Sequence, residues 1–482
     1  MPSLKILLIR HHQQPARADG SYRRHAFQLI PLGLAYLAAT LRESGMTVTV
    51  CDSLVSIETK KQFLSMVQQS DPDLIGISAM TDGLPGAMEA AALIKKIRPT
   101  TPIVLGGAHM ATFPEQTLQE GAFDLGIIGE GERTFAELAT ALAEKRQSLS
   151  ELPGLAIKEK TGEIRCTRPR ERISDLDQLA HPARDLFPNH RYRTLLGHNP
   201  VTYILTSRGC PYHCTFCDHS LWGNKVTFHS PRWILEEIQH CQAHGAREIY
   251  IYDETFTLQR ERVLHLCELI LQHRIRASFV ISTRADHVDF EMLKLLKQAG
   301  CRQIRFGVET GSPVMLKKIR KGLSHTQIQR AFQDCRTLGI ETFGYFMLGL
   351  PDETPEQMLE TIRTAISLDP DWVNFNLLSV KPGTAIYRKL TRQSGRAPTN
   401  WLKGFLDGKS SEDDSYILPA GKNLADMNRM IHTAYRRFYF RPRFFLKRCR
   451  DLRHPALLYH YLTSIIGTYS HLFAGKFRNI HQ

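Results

Sequence analysis

The stretch Ser207–His219 reads SRGCPYHCTFCDH. It holds three of the chain's ten cysteines, Cys210, Cys214 and Cys217, in the spacing C-x3-C-x2-C. Three thiolates this close in one loop can hold three irons of a cubane [4Fe–4S] cluster. No fourth cysteine lies nearby, which leaves the fourth iron open to a small ligand. Zinc fits this pattern poorly, because it usually takes four protein ligands, commonly as two C-x2-C pairs. Three unrelated core cysteines would not gather at this spacing in a polar loop that also carries Gly209 and Pro211.

On the carboxyl side of the loop, strand and helix periodicities alternate. VTYILTS (201–207) reads as a strand feeding the cysteines. PRWILEEIQHCQAHG then precedes EIYIYDETF, ERVLHLCELILQH precedes ASFVIST, and DFEMLKLLKQAG precedes QIRFGVETGS. HTQIQRAFQDCRTLG precedes ETFGYFMLGLP, and PEQMLETIRTAISL precedes WVNFNLLSV. Six βα units predict a partial TIM-type (βα)6 barrel over 201–390, with its working loops at the carboxyl ends of the strands. Asp253 and Glu254 end the second predicted strand, and Arg284 ends the third. Glu309 ends the fourth with Ser312 just beyond, and Leu348 opens the turn LGLPDET after the fifth. The motif KPGTAIY (381–387) reads as the structural last turn of the barrel.

Residues 1–145 alternate in the same way with shorter strands. KILLIR (5–10), TVTVCD (47–52), DLIGIS (73–78), PIVLGG (102–107) and FDLGIIG (123–129) are separated by amphipathic helical stretches. One of these, PLGLAYLAATLRESG, stops on Gly45. The pattern predicts an α/β, Rossmann-like, doubly wound parallel sheet. Such sheets bind ligands at the carboxyl ends of their strands. Those ends carry Ser78, then Gly106, Gly107 and His109 in GGAHMATFPE, then Gly129, Glu130 and Gly131 in GEGERTFAEL. Glycines there let a bulky flat or phosphate-bearing ligand reach the backbone, although each alone is equally a turn residue.

Residues 146–200 read as a connector with one hairpin, LAIK and EIRCT about KTGE. In the proline-bearing loop that follows, Arg184 and Asp185 are expected to solvate the loop, with a bridge between the two domains as the alternative, and Cys166 in the hairpin is expected to be structural. Residues 391–482 form a predicted helical C-terminal segment. Its stretch NLADMNRMIHTAYRRFYFRPRFFLKRCRDL interleaves arginine with aromatics and breaks at Pro442. A cap over the barrel is the expected role. Peripheral contact with an anionic membrane surface is the alternative. No nucleic-acid recognition module is evident.

Across the 482 residues, 62 Lys and Arg against 48 Asp and Glu give a net charge of +14. That is compatible with an anionic partner and selects none. No run of 18 apolar residues exists, so no membrane span is expected. MPSLKILLIRHH is interrupted by charge too soon for a secretory signal, and the expected location is cytoplasmic. The remaining seven cysteines are dispersed, and most read as buried small hydrophobes rather than a disulfide framework.

With Phe216 before its last cysteine, the loop resembles the radical S-adenosylmethionine (radical SAM) motif, C-x3-C-x-aromatic-C. Ser78, GGAHMATFPE and GEGE make the first domain similar to the cobalamin (B12)-binding domain that precedes many radical SAM cores. The resemblance covers about residues 1–390. It implies a cluster on Cys210, Cys214 and Cys217, its open iron chelating the amino and carboxylate groups of SAM. It places Phe216 and Leu348 near adenine, and Asp253 and Glu254 near the ammonium, which needs an acceptor. Arg284 would pair with the SAM carboxylate, and Glu309 and Ser312 would meet the ribose hydroxyls. A buried ion pair across neighbouring strands is the other reading of Arg284 and Glu309. The loops with Ser78, Gly106, Gly107, His109, Gly129, Glu130 and Gly131 would surround the corrin and its nucleotide tail.

Two departures narrow the resemblance. Many cobalamin domains carry D-x-H-x-x-G after the first strand, where this chain reads RHHQQPARADG with His11 and His12. The lower cobalt ligand therefore stays open. Methylthiotransferases share the layout, but their first domain supplies three further cysteines, and here that domain holds only Cys51.

The implied activity is a C-methyltransferase. A flavodoxin- or ferredoxin-type donor reduces the cluster, and SAM yields a 5′-deoxyadenosyl radical. That radical takes hydrogen from an unactivated carbon of an organic substrate, and methylcobalamin delivers the methyl group. A cyclase or rearrangement enzyme of tetrapyrrole or hopanoid type, without methyl transfer, is the runner-up. A cobalamin or iron–sulfur sensor is the non-enzyme alternative, disfavoured because a sensor need not position SAM.

Overall fold

The computed structural model describes residues 3–11, 29–57, 59–194, 197–394 and 422–449. The chain divides into two compact units. The first is Met1–Pro211 with Asp218–Tyr250, and the second is Tyr212–Cys217 with Ile251–Gln482.

In the first unit the strands Lys5–Arg10, Thr47–Asp52, Leu74–Ser78, Ile103–Gly106 and Leu125–Ile127 are parallel, as expected. Numbered along the chain, they lie in the order 2-1-3-4-5. Ile6 to Ile9 are buried in succession, which a strand can sustain only when both faces of its sheet are covered. One cover is the pair of helices Leu32–Glu43 and Gly131–Ala143, whose Leu34, Ala38, Phe135 and Leu138 pack on Ile6, Leu8, Leu74 and Val104. Gly76 is glycine because a Cβ there would meet Phe135 at 2.6 Å. Helix Leu32–Glu43 ends as its sequence indicates: Gly45 takes φ +80°, and Met46 N–H bonds the Leu41 carbonyl.

The hairpin of the expected connector belongs to this sheet. Leu155–Lys158 pairs antiparallel with Leu125–Ile127, and Ile164–Cys166 pairs with Leu155–Lys158, making seven strands. Cys166 is exposed on that edge, whereas Cys51, Cys241, Cys267, Cys301 and Cys335 are buried as expected. Arg184 corrects the sequence reading, since it is 0% exposed rather than solvated. Its Nη1 donates to Thr202 Oγ1 at 2.6 Å, its Nη2 to the Tyr203 carbonyl at 3.0 Å and its Nε to Glu237 Oε1 at 3.1 Å. A guanidinium can be buried only when its donors are met, and Glu237 supplies the countercharge. Asp185 pairs with Arg42 at 2.8 Å.

All six strands of the expected partial barrel occur in order: Val201–Ile204, Glu248–Ile251, Phe279–Thr283, Cys301–Glu309, Glu341–Leu348 and Trp372–Leu377, each followed by a helix. Within the second unit the last four are parallel neighbours, with Ile281 opposite Ile304, Phe306 opposite Gly344 and Phe346 opposite Phe375. Helices His325–Thr337 and Pro355–Leu368 begin at capping boxes, Ser324 with Gln327 and Thr354 with Gln357.

Strand Trp372–Leu377 is an edge of its sheet. Helix Leu424–Tyr439 covers it, and the helical segment breaks before Pro442 as expected. Tyr439 Oη accepts from Val373 N–H at 3.2 Å and donates to the Val373 carbonyl at 3.1 Å. Tyr435 Oη accepts from Phe375 N–H at 3.2 Å and lies 3.0 Å from Asn374 Oδ1. Tyrosines one helical turn apart thus meet strand residues two apart, and they satisfy the edge as a further strand would. Arg441 and Arg443 pair with Asp369, each at 3.2 Å, and Lys447 pairs with Asp371 at 2.9 Å. Three of the segment's basic residues are therefore neutralised locally. His12, residues 395–421 and the tail from 450 onward lie outside the described residues. Among the described residues, no helix is long and apolar enough to cross a membrane.

Candidate active site

A cleft with about 780 Å³ of open space lies in the first unit at the carboxyl ends of its strands. Ser78, Gly106, Gly107, Gly129, Glu130 and Gly131 all line it. Gly107 and Gly129 take φ +99° and +88°, where a side chain would be strained. A Cβ on Gly107 would also meet the Ala79 carbonyl at 2.5 Å, whereas one on Gly129 would meet nothing within 4 Å. These glycines bare the backbone within a lining that is otherwise mainly apolar, with Leu34, Leu37, Ile77, Val104 and Phe135; an apolar cleft with bared backbone suits a broad flat ligand.

His109 is the exception among the expected cleft residues. It is 0% exposed, and it does not line the cleft. Its Nδ1 lies 3.3 Å from Thr81 Oγ1 and its Nε2 3.0 Å from Thr117 Oγ1, so both ring nitrogens are occupied. Burial pushes its pKa down to about 4. It is a packed neutral histidine that ties the GGAHMATFPE turn together.

Sequence reading missed Arg208, Tyr36 and Trp222, which also line the cleft. Arg208 stands inside the decisive stretch, directly before Gly209 and Cys210. An arginine at the end of an apolar strand was the available signal. Glu130, which lines the cleft as expected, also holds Arg208 Nη1 at 2.7 Å and accepts from Ile173 N–H at 2.7 Å.

None of the three loop cysteines is in a disulfide, and each is partly exposed. Soft thiolate donors with that access suit iron. Cys210 belongs to the first unit, and Cys214 and Cys217 to the second. In the second unit the loop is fastened by its backbone. Thr215 N–H bonds the Ile319 carbonyl at 3.0 Å, Ile386 N–H bonds the Thr215 carbonyl at 3.1 Å, and Cys217 N–H bonds the Cys214 carbonyl at 3.1 Å. Ile386 lies in KPGTAIY, which gives that motif a structural role.

The strand ends of the second unit are charged. Arg284 is 4% exposed. Its Nε and Nη2 donate to Asp286 at 2.9 and 2.8 Å, and Nη2 also donates to the Lys321 carbonyl at 2.8 Å. Its guanidinium lies 3.7 Å from the centre of the Tyr212 ring. Nη1 is buried and has no hydrogen-bond partner among the described residues. A buried guanidinium N–H without an acceptor is costly, and an anionic ligand oxygen would relieve it.

Glu309 sits beyond a bulge, at φ +70°, which is uncommon for a residue with a Cβ. It pairs with Lys321 at 2.8 Å, and Lys321 Nζ lies 5.9 Å from the centre of the Phe216 ring. The ion pair expected as the other reading therefore exists, but with a lysine twelve residues on and not with Arg284. Asp253 is 2% exposed and lies 3.6 Å from Arg262. Glu254 reaches solvent, yet crowding by its surroundings and then the charge of Asp253 lift its pKa to about 7. Ser312 and Leu348 are buried. Glu353, in the turn after Leu348, accepts from Gly349 and Leu350 N–H at 2.7 and 3.0 Å, and burial raises its pKa to about 7.

The comparisons with known proteins agree with this architecture. Residues 24–139 match the family described as B12 binding domain, and residues 204–365 match the radical SAM superfamily. The chain belongs to the cobalamin-binding radical SAM enzymes. It is 33% identical to an uncharacterized methyltransferase of Pyrococcus horikoshii, over 86% of this chain and 89% of that one. It is 26% identical to the anaerobic magnesium-protoporphyrin IX monomethyl ester cyclase of Rubrivivax gelatinosus, over 75% of this chain and 66% of that one. Its fold is similar to that of the radical SAM methyltransferase TsrM from Kitasatospora setae, with a TM-score of 0.67, 23% identity, and 82% and 76% of the two chains covered.

Proposed function

We propose that this enzyme methylates carbon on an organic substrate. The observation that carries the reading is its 33% identity, over 86% of this chain and 89% of the other, to the uncharacterized methyltransferase of Pyrococcus horikoshii. When bound, the cluster with SAM supplies a hydrogen-abstracting adenosyl radical, and cobalamin supplies the methyl group. The chain's own work is to hold and orient. Cys210, Cys214 and Cys217 hold the cluster. Arg284 Nη1 donates to the SAM carboxylate. Glu254, with Asp253 behind it, accepts from the SAM ammonium. Glu309 and Ser312 meet the ribose, and Phe216 and Leu348 flank adenine. Ser78, Gly106, Gly107, Gly129 and Gly131 let cobalamin approach the backbone. Cluster reduction falls to a flavodoxin- or ferredoxin-type protein.

Similarity to a cyclase keeps the ring-forming outcome as the second reading. One assay separates the two. Reconstituted enzyme is incubated anaerobically with hydroxocobalamin, reductant, methyl-labelled SAM and candidate substrates. S-adenosylhomocysteine formed together with 5′-deoxyadenosine and labelled product supports methyl transfer. Product with deoxyadenosine alone overturns it in favour of cyclisation. Peripheral membrane contact would use Phe440 and Leu446, which are 50% and 70% exposed beside Arg436 and Arg437. Flotation with anionic vesicles is the test, and protein left at the bottom of the gradient sinks the idea.

A further inference from the structure

Arg208 links two features that sequence reading treated separately, the GEGE turn and the cysteine loop. Its guanidinium lies between two carboxylates of the first unit, Nη1 to Glu130 Oε1 at 2.7 Å and Nη2 to Glu132 Oε1 at 2.6 Å. All three side chains are nearly fully buried, and all three line the cleft. Burial alone would lower the arginine's pKa, but Glu132 and Glu130 outweigh it and raise the value. The carboxylates in turn stand at the amino end of helix Gly131–Ala143, where the helix dipole favours negative charge. The guanidinium also lies 5.4 Å from the centre of the Tyr36 ring.

The backbone on either side of Arg208 is held as firmly. Ser207 and Arg208 pair antiparallel with Phe228 and Thr227. Arg172 donates to the Arg208 carbonyl at 3.3 Å and also to the Lys225 carbonyl. Gly209 takes φ +94°, and a Cβ there would meet the Lys225 carbonyl at 2.5 Å. Cys210 follows immediately. The cysteine is therefore delivered from an arm whose one charged side chain is clamped to the cleft wall.

We propose that Arg208 is a positioning residue that fastens the Cys210 arm to the Gly129–Gly131 wall, so that occupancy of the cleft is felt at Cys210. The coupling rests on the cobalamin reading above, while the fastening does not. Two buried carboxylates are a strong clamp, and removing the arginine leaves both uncompensated. A ligand in the cleft touches the clamp and tightens it, and by reciprocity the state of the arm alters affinity in the cleft.

The test is the alkylation rate of each cysteine by iodoacetamide in the full-length cluster-free protein, read by peptide mass spectrometry. In Arg208→Met, Cys210 should react about fivefold faster or more, while Cys214 and Cys217 keep their wild-type rates. The buried Cys241, Cys267, Cys301 and Cys335 report unfolding. Should they become reactive, Arg208→Lys and Glu132→Gln replace the methionine variant, with Lys expected to restore and Gln to loosen. Added hydroxocobalamin should slow Cys210 alkylation in the wild type and not in Arg208→Met. Equal Cys210 rates in wild type and variants overturn the proposal, as does hydroxocobalamin protection of equal size in both. If wild-type protein does not bind hydroxocobalamin, by absorbance and tryptophan fluorescence, the cofactor reading fails. The Cys210 rates then still decide the fastening.

Discussion

The cleft of the first unit and the strand ends of the second would meet a large ligand by opposite means. The cleft is walled by Gly106, Gly107, Gly129 and Gly131, and its charges are spent on one another, Arg208 on Glu130 and Glu132. The strand ends keep charge in reserve: Arg284 Nη1 has no acceptor among the described residues, and Glu254 has a raised pKa. A flat ligand gains from backbone bared at glycines, and one recognised by its ammonium and carboxylate needs partners waiting. The contrast rests on Arg284 and Glu254 and does not extend to every strand-end charge: Glu309, like Glu130 in the cleft, is found in an ion pair.

The largest effect is expected at the cysteine loop. Cys214→Ala should abolish cluster absorbance and all SAM cleavage while leaving hydroxocobalamin binding intact; retained cleavage would refute the ligand assignment. Next in size is Arg284→Met. Loss of a charge-assisted hydrogen bond costs about 1.5–3 kcal/mol, or roughly 10- to 100-fold in the KM for SAM. Unchanged KM would show that the unpartnered N–H serves no ligand.

Gly106 sharpens the other side. It lines the cleft without a positive φ, and a Cβ on it meets only Ile127 at 4.0 Å. Gly106→Leu should therefore weaken hydroxocobalamin binding by about tenfold with little change in Tm, since it fills ligand space and not protein space. Unaltered affinity would place the cofactor elsewhere.

A pH series addresses Glu254. Its folded pKa is raised, so its contribution to stability falls as pH climbs from the ordinary carboxylate range to about 7 and is flat above. An acceptor for an ammonium must be ionised, so the KM for SAM should fall as pH rises through about 7. That slope should vanish in Glu254→Gln. A slope that persists would assign the titration to another group. The smallest effect belongs to Tyr435→Phe, which removes the edge-strand hydroxyl and should cost about 1 kcal/mol in a denaturant melt. No change in midpoint would mean that water replaces it.

Most of the architecture was legible, because both sheets advertise themselves by alternating periodicities. The five strands of the first unit lie where apolar runs end in Ser78, Gly106 and Gly129, and helix Leu424–Tyr439 stops before Pro442 as its sequence requires. The site was legible in its residue types and less so in its pairings. Arg184 read as a loop charge and proved to be fully buried on Glu237, fifty-three residues away. His109 read as a cleft residue and proved to be buried between two threonines. The hairpin at Leu155–Cys166 read as linker and completes a sheet.

The sequence alone determined the cysteine spacing, the order of strands and helices, and the glycines that a left-handed or ligand-facing turn demands. Those are local properties, set by neighbours within one turn or one strand. Tertiary structure alone decided which charges are spent and which are kept, because an arginine's partner depends on what packs beside it and not on what precedes it. That is why Arg208, legible as a letter in SRGCP, became the fastener of the cysteine arm only once Glu130 and Glu132 were beside it.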